Sequence, residues 1–195
     1  MSNKNIIAQI GDPILRKKTQ LVDPNKIKSL KIKNIIKKLI KIMKMFNGAG
    51  LAANQIYYNY RICVIEIENN QRYKHLPKIP LKILINPKIK ILGKNNYFNS
   101  YEGCLSVPNL RGMVKRYCKI KVEYYDEEAK FKSEIINNFT AIVYQHEIDH
   151  LDGILFTDRV TNNSSLVTYS NYIKFHESKY LKSIDKYFKN KTKSI

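Results

Sequence analysis

From residue 23 to residue 46, apolar side chains recur at Ile27, Leu30, Ile35, Leu39, Ile42, Met43 and Phe46, with lysines filling the positions between. This three-to-four spacing predicts a long N-terminal helix with one buried and one solvated face. Asp23 followed by Pro24 reads as its N-cap and first residue, and Gly48-Ala49-Gly50 as its end. The period then changes. Residues 61–67 read as a buried strand in which Cys63 is a small core side chain. Residues 81–86 and 88–92 read as strands broken at Pro87, and residues 118–125 and 131–137 as a hairpin turning at 126–129. Between them, Glu102-Gly103-Cys104-Leu105-Ser106 shows neither helical nor strand periodicity. The apolar run Thr140-Ala141-Ile142-Val143-Tyr144 leads into Gln145-His146-Glu147-Ile148-Asp149-His150-Leu151. That run predicts a buried helix, capped by Asn137 or Asn138 and stopped at Gly153. Leu166, Tyr169, Ile173, Tyr180, Leu181, Ile184 and Phe188 form the apolar stripe of a C-terminal helix over about residues 164–188. The first 22 residues read as an irregular arm with a short buried piece around 6–10, residues 69–78 as a polar turn, and residues 190–195 as disordered.

These elements predict an α+β fold, a single domain over residues 1–195. Antiparallel sheets pack around the central helix at 146–151, with a long N-terminal helix and a C-terminal helix. The 195 residues at 44% hydrophobic content suit one sizeable core. No apolar run approaches the roughly 20 residues that cross a bilayer, so no membrane partner is expected. Three cysteines, odd in number and widely spaced, do not form a disulfide framework and point to a reducing cytoplasm. The net charge of +19 and pI near 9.7 raise the question of nucleic acid. The excess is mostly lysine in a chain also rich in Ile and Asn, residues that adenine- and thymine-rich codons specify. Arginine, which base and phosphate recognition favours, is scarce. DNA is not an expected partner; a weak electrostatic attraction to an RNA-rich one is.

Charge therefore changes the picture little; the histidine-bearing helix changes it more. His146 and His150 stand four apart, one helical turn, and can aim two imidazoles at one ion, with Glu147 near enough to take a proton from a bound water. Two histidines at this spacing also occur on ordinary helix surfaces, so the pair needs a third ligand. The H-E-x-x-H-x-x-G-x-x-H pattern matches at Gly153 but has Phe156 where its last histidine belongs. Glu177 is a downstream carboxylate with no supporting motif. Cys104, following Gly103, is the best third ligand, giving a Cys-His-His set with an open position. Upstream, Gly48-Ala49-Gly50-Leu51-Ala52-Ala53-Asn54-Gln55 allows close backbone approach, and the missing Gly-Lys-Ser/Thr excludes a P-loop. His176 and Cys118 fit packing roles.

Taken in order, G-x-G-x-A-A-x-Q at 48–55, E-G-C-x-S at 102–106 and H-E-x-D-H at 146–150 resemble the peptide deformylase family, in its bacterial type. Each motif alone is weak; the three in this order are specific. The resemblance implies a metal-dependent hydrolase that removes the formyl group from the N-terminal formyl-methionine of nascent polypeptides. Carried over by position, Cys104, His146 and His150 bind one divalent metal, Fe²⁺ first, with Zn²⁺, Ni²⁺ or Co²⁺ as alternatives. Glu147 is the general base and acid, and Gln55 with the Leu105 backbone N–H forms the oxyanion hole. Gly50 and Gly103 offer backbone to the substrate in strand fashion. Phe139, Ile142 and Val143 line the methionine pocket, with Arg111 near its entrance. Glu102 pairs with Arg116, while Asp149 either fixes a ligand histidine or its helix, or lies on the helix surface. Ala49 stands where the family carries a larger aliphatic residue, and Asn47 where it carries an acid.

Overall fold

The computed structural model describes residues 6–68 and 78–192, with side chains through residue 188. The turn expected at 69–78 thus falls almost wholly outside the described residues. In chain order the strands are β1 (Gly50–Ala52), β2 (Ile62–Ile67), β3 (Ile79–Ile91), β4 (Tyr97–Cys104), β5 (Val107–Tyr117), β6 (Lys119–Tyr125), β7 (Phe131–Asn137) and β8 (Val167–Thr168). The helices are α1 (Leu30–Met45), α2 (Asn138–Leu151), α3 (Tyr169–Asn171) and α4 (Glu177–Thr192). A five-stranded sheet runs β1-β2-β3-β6-β7 and a three-stranded sheet β4-β5-β8, with every named pair of strands antiparallel. This is the α+β architecture that the spacing predicts, with α2 at its centre.

Strand β2 explains why α2 is buried. Alternate side chains point to opposite faces: Ile62 and Val64 pack with Ile35, Leu39 and Met43 of α1, whereas Cys63, Ile65 and Ile67 share a core with Ile148 and Leu151 of α2. A strand covered on both faces is apolar almost throughout, as Ile-Cys-Val-Ile-Glu-Ile is.

Several boundaries differ from the pattern-based expectation. Asp23 caps only a 3-10 turn, Pro24–Lys26, and α1 begins later, with the Ser29 hydroxyl accepting from Ile32 N. Buried Ile27, in the linking turn, continues the apolar spacing and hides the break. At the other end Asn47, not glycine, adopts the left-handed backbone (φ 51°), and Gly48 N–H donates back to Met43 O at 2.9 Å. Pro87 does not break β3. Asn86 takes φ 55° and the register shifts between Ile85 and Lys88, a bulge that absorbs the residue lacking an N–H.

The segment with no visible period is a long hairpin, β4–β5, turning at Leu105-Ser106 with Cys104 opposite Val107. Burial along β4 does alternate, at Phe98, Ser100, Glu102 and Cys104. Half of those inward positions are polar, so the alternation is invisible in hydrophobicity. At the C-terminus, residues 167–168 pair with β5 as β8, so the helical stretch begins at Tyr169 and passes through a π turn at Tyr172–His176 before α4. The backbone of α4 continues to Thr192. No described helix is long and apolar enough to cross a membrane.

Candidate metal centre and active-site cleft

Helix α2 sets His146 and His150 with ring centroids 5.0 Å apart, nearly perpendicular. The β4–β5 turn brings Cys104 to them, its Sγ 3.2 Å from His150 Nε2. One donor atom from each of the three residues lies within 4.8 Å of the others, and no other such group occurs among the described residues. Glu177, the rival downstream carboxylate, is outside the group. Burial alone would push the Cys104 thiol up, but the His150 and His146 rings beside it hold it well below its ordinary value. Burial disfavours a charged His146, yet Cys104 and Glu102 raise its proton affinity well above the usual histidine value. A pocket that draws positive charge this way, with two imidazoles and a thiolate as donors, fits a divalent cation.

Behind the donors lies a charged network. Glu102 accepts a hydrogen bond from His146 Nδ1–H at 2.8 Å, which leaves Nε2 free of that bond and available as the ligand nitrogen. The same carboxylate receives Arg116 Nε and Nη2 at 2.7 and 2.9 Å, an in-plane fork. Burial penalises the Glu102 charge, but Arg116 and His146 hold its pKa down at about 2. Arg116 Nη1 reaches Asp149, which also accepts from Arg159 at 2.7 and 3.1 Å. Asp149 thus steadies Arg116 rather than touching a ligand histidine; Glu102 holds the histidine. Arg159 carries no motif and is not legible as a partner without the fold.

The amide side is built from β1 and the 3-10 turn Ala53–Ile56. Gln55 Oε1 accepts from Ala52 N at 2.8 Å, which turns its Nε2 outward to donate to Ser106 Oγ at 3.0 Å, with Cys104 Sγ 3.5 Å away. The N-terminal arm buttresses both residues: Ala8 N–H donates to Gln55 O at 2.8 Å and Ile10 N–H to Ser106 O at 2.7 Å. Ser106 is fully buried, and its backbone N–H also points to Cys104 Sγ at 3.3 Å. Its role as an orienting residue was readable only from its place in the E-G-C-x-S motif.

Glu147 is 4% exposed, and burial pushes its pKa up to about 7 despite the two histidines. Its Oε2 is buried with no hydrogen-bond partner among the described residues. A Cβ built on Gly50 would fall 2.5 Å from the Glu147 carboxylate, and one on Gly103 would fall 2.0 Å from the Arg111 guanidinium. A side chain at either glycine would make the Glu147 carboxylate or the Arg111 guanidinium shift from its place on the cavity wall.

These groups open on a cavity of about 460 Å³. Gln55, Cys104, Leu105, His146 and Glu147 line its polar part; Phe139, Ile142 and Val143 on α2, with Ala49, line its apolar part. Gly50, Gly103 and Arg111 also reach it, whereas His150 lies behind the wall at 1% exposure. Arg111 stacks on the Tyr169 ring at 4.4 Å from its centroid and donates to Leu110 O. Of Gln55, Gly50, Gly103, Cys104, Leu105, His146, Glu147 and His150, all but His150 line this cavity, and His150 meets Cys104 behind it.

The polypeptide deformylase family model matches residues 4–165. Peptide deformylase 2 of Nostoc sp. is 39% identical over 166 residues, covering 85% of this chain and 91% of that protein. The class I type b peptide deformylase of Acinetobacter baumannii, solved with Met-Ala-Ser bound, superposes with a TM-score of 0.75 at 32% identity, over 82% of this chain and 100% of that one. The enzyme from Thermotoga maritima gives 0.70 at 32% identity, over 80% and 97%. By sequence, fold and the motifs around its thiolate and imidazole pair, the chain belongs to the polypeptide deformylase family, hydrolases that remove the formyl group from N-terminal formyl-methionine.

Proposed function

We propose that this chain deformylates nascent formyl-methionyl peptides with a divalent cation held by Cys104, His146 and His150. When bound, such a cation supplies Lewis acidity, polarising the formyl carbonyl and making a water acidic enough to attack near neutral pH. Glu147, wedged against Gly50, accepts the proton of the attacking water and delivers it to the leaving amine. Gln55 Nε2 and the Leu105 N–H receive the oxygen as its negative charge develops. Gln55 costs little reorganisation in this role, because Ala52 and Ser106 already fix both ends of its amide. Phe139, Ile142 and Val143 take up the methionine side chain; Gly50, on an edge strand, and Gly103 pair with the peptide backbone, and Arg111 stands at the entrance.

The observation that carries this reading is one amide donor, one buried carboxylate and two metal donors, Cys104 and His146, lining a single cavity, with the third donor, His150, grouped with them just behind its wall. Fe²⁺ is our first choice of ion, with Zn²⁺, Ni²⁺ and Co²⁺ as alternatives, since thiolate and imidazole suit all of them. We read residues 1–195 as one domain that works in the cytoplasm, where formyl-methionyl chains begin, and that touches the ribosome transiently through its basic surface. The test is formate release from formyl-Met-Ala-Ser by protein purified without oxygen. Release is expected; its absence from metal-loaded protein overturns the proposal.

A further inference from the structure

The family match ends at residue 165, but the cavity wall does not. Tyr172, Tyr180, Leu181 and Ile184, all beyond that boundary, line the same space as Cys104 and His146. The route between them is a single helix face. Phe139, Ile142, Val143 and His146 stand at the spacing of one stripe of α2, and the first three share an apolar cluster with Tyr172, Tyr180 and Ile184. Tyr180 is fixed there: its hydroxyl lies 2.6 Å from Ser100 Oγ, and its ring meets Tyr101 edge-on at 5.6 Å. Both hydroxyls are buried and each satisfies the other, so the aromatic surface, not a loose polar group, faces the cavity. The π turn Tyr172–His176 just before α4 places Tyr172 and Ile173 on this wall, and π turns recur at functional sites.

We propose that the C-terminal helix is a specificity element: Tyr180, Leu181 and Ile184 set the depth and shape of the pocket for the first side chain of the formyl peptide. The inference rests on the deformylase reading above. An unbranched thioether fits an aromatic-and-aliphatic wall of this kind, because methionine adapts to irregular gaps and its sulfur packs well beside aromatic rings. Ala49, a small residue, lines the same cavity and packs against the apolar cluster that holds Tyr180 and Ile184. A helix that only packed the core would contribute stability without changing which formyl peptide is preferred.

The test uses full-length, metal-loaded protein and three probes: formyl-Met-Ala-Ser, formyl-norleucyl-Ala-Ser and formyl-Phe-Ala-Ser. Ile184→Trp should lower kcat/KM for the methionine peptide by about 10-fold or more, chiefly through KM, since it fills the pocket. Ile184→Ala should raise the phenylalanine-to-methionine ratio of kcat/KM by about 10-fold, since it deepens the pocket. Tm and bound metal are measured alongside. If Ile184→Trp does not fold, Ile184→Ala and Leu181→Ala decide by the same ratio. Folded, metal-loaded variants whose ratios stay within about twofold of wild type overturn the specificity role alone. A wild-type enzyme that releases no formate overturns the deformylase reading and this inference with it.

Discussion

A Cβ on Gly50 would overlap the Glu147 carboxylate, and that single contact ties the first motif to the third. Gly50→Ala leaves all three metal donors untouched but displaces the carboxylate. A misplacement of about an ångström costs roughly 10²-fold, so kcat should fall by about that much while metal content stays unchanged; the check is a formate assay beside metal analysis. Gln55 acts differently. It is fully oriented by Ala52 and Ser106, so Gln55→Ala removes a preorganised donor and should lower kcat by about 10²–10³ without moving Tm far. An unchanged kcat would remove Gln55 from the oxyanion role.

At the scale of elements, the Glu102–Arg116–Asp149–Arg159 network locks strands β4 and β5 to helix α2. Arg116 is 3% exposed and answers two carboxylates, so Arg116→Leu strands buried charges. It should cost about 3–5 kcal/mol, which lowers Tm by roughly 6–20 °C in a chain of this size. Leu39→Ala, in the fully buried stripe of α1, should cost about 2–5 kcal/mol by a different route, a cavity between α1 and β2. Only the second of these effects was foreseeable from periodicity. The stripe of α1 is apolar at every buried turn and therefore legible, whereas β4 buries Ser100 and Glu102 and reads as irregular. The motif residues were legible because their chemistry demands particular side chains at particular spacings. Arg159 and the Ala8 and Ile10 backbone donors were not, because any sequence that folds this way supplies a backbone amide and a surface arginine.

For the whole molecule, two sheets and the C-terminal helix pack against α2, so the cleft is assembled from segments more than a hundred residues apart. The same convergence leaves the lysines of α1 on the outside: Lys31, Lys33, Lys37, Lys38, Lys41 and Lys44 are exposed, and no acidic residue lies within the helix. If this face meets ribosomal RNA, co-sedimentation with ribosomes should weaken steeply between low and physiological salt, the signature of counterion release. Binding that ignores salt would argue for compositional bias as the source of the charge.

The central claim is that three donors hold the ion while Glu147 alone moves the proton. Metal content and formate release, measured together on wild type and Glu147→Gln purified without oxygen, test it most directly. The variant should hold as much metal as wild type and lose nearly all formate release from formyl-Met-Ala-Ser. A Glu147→Gln protein that keeps its metal and still deformylates at the wild-type rate would contradict the account.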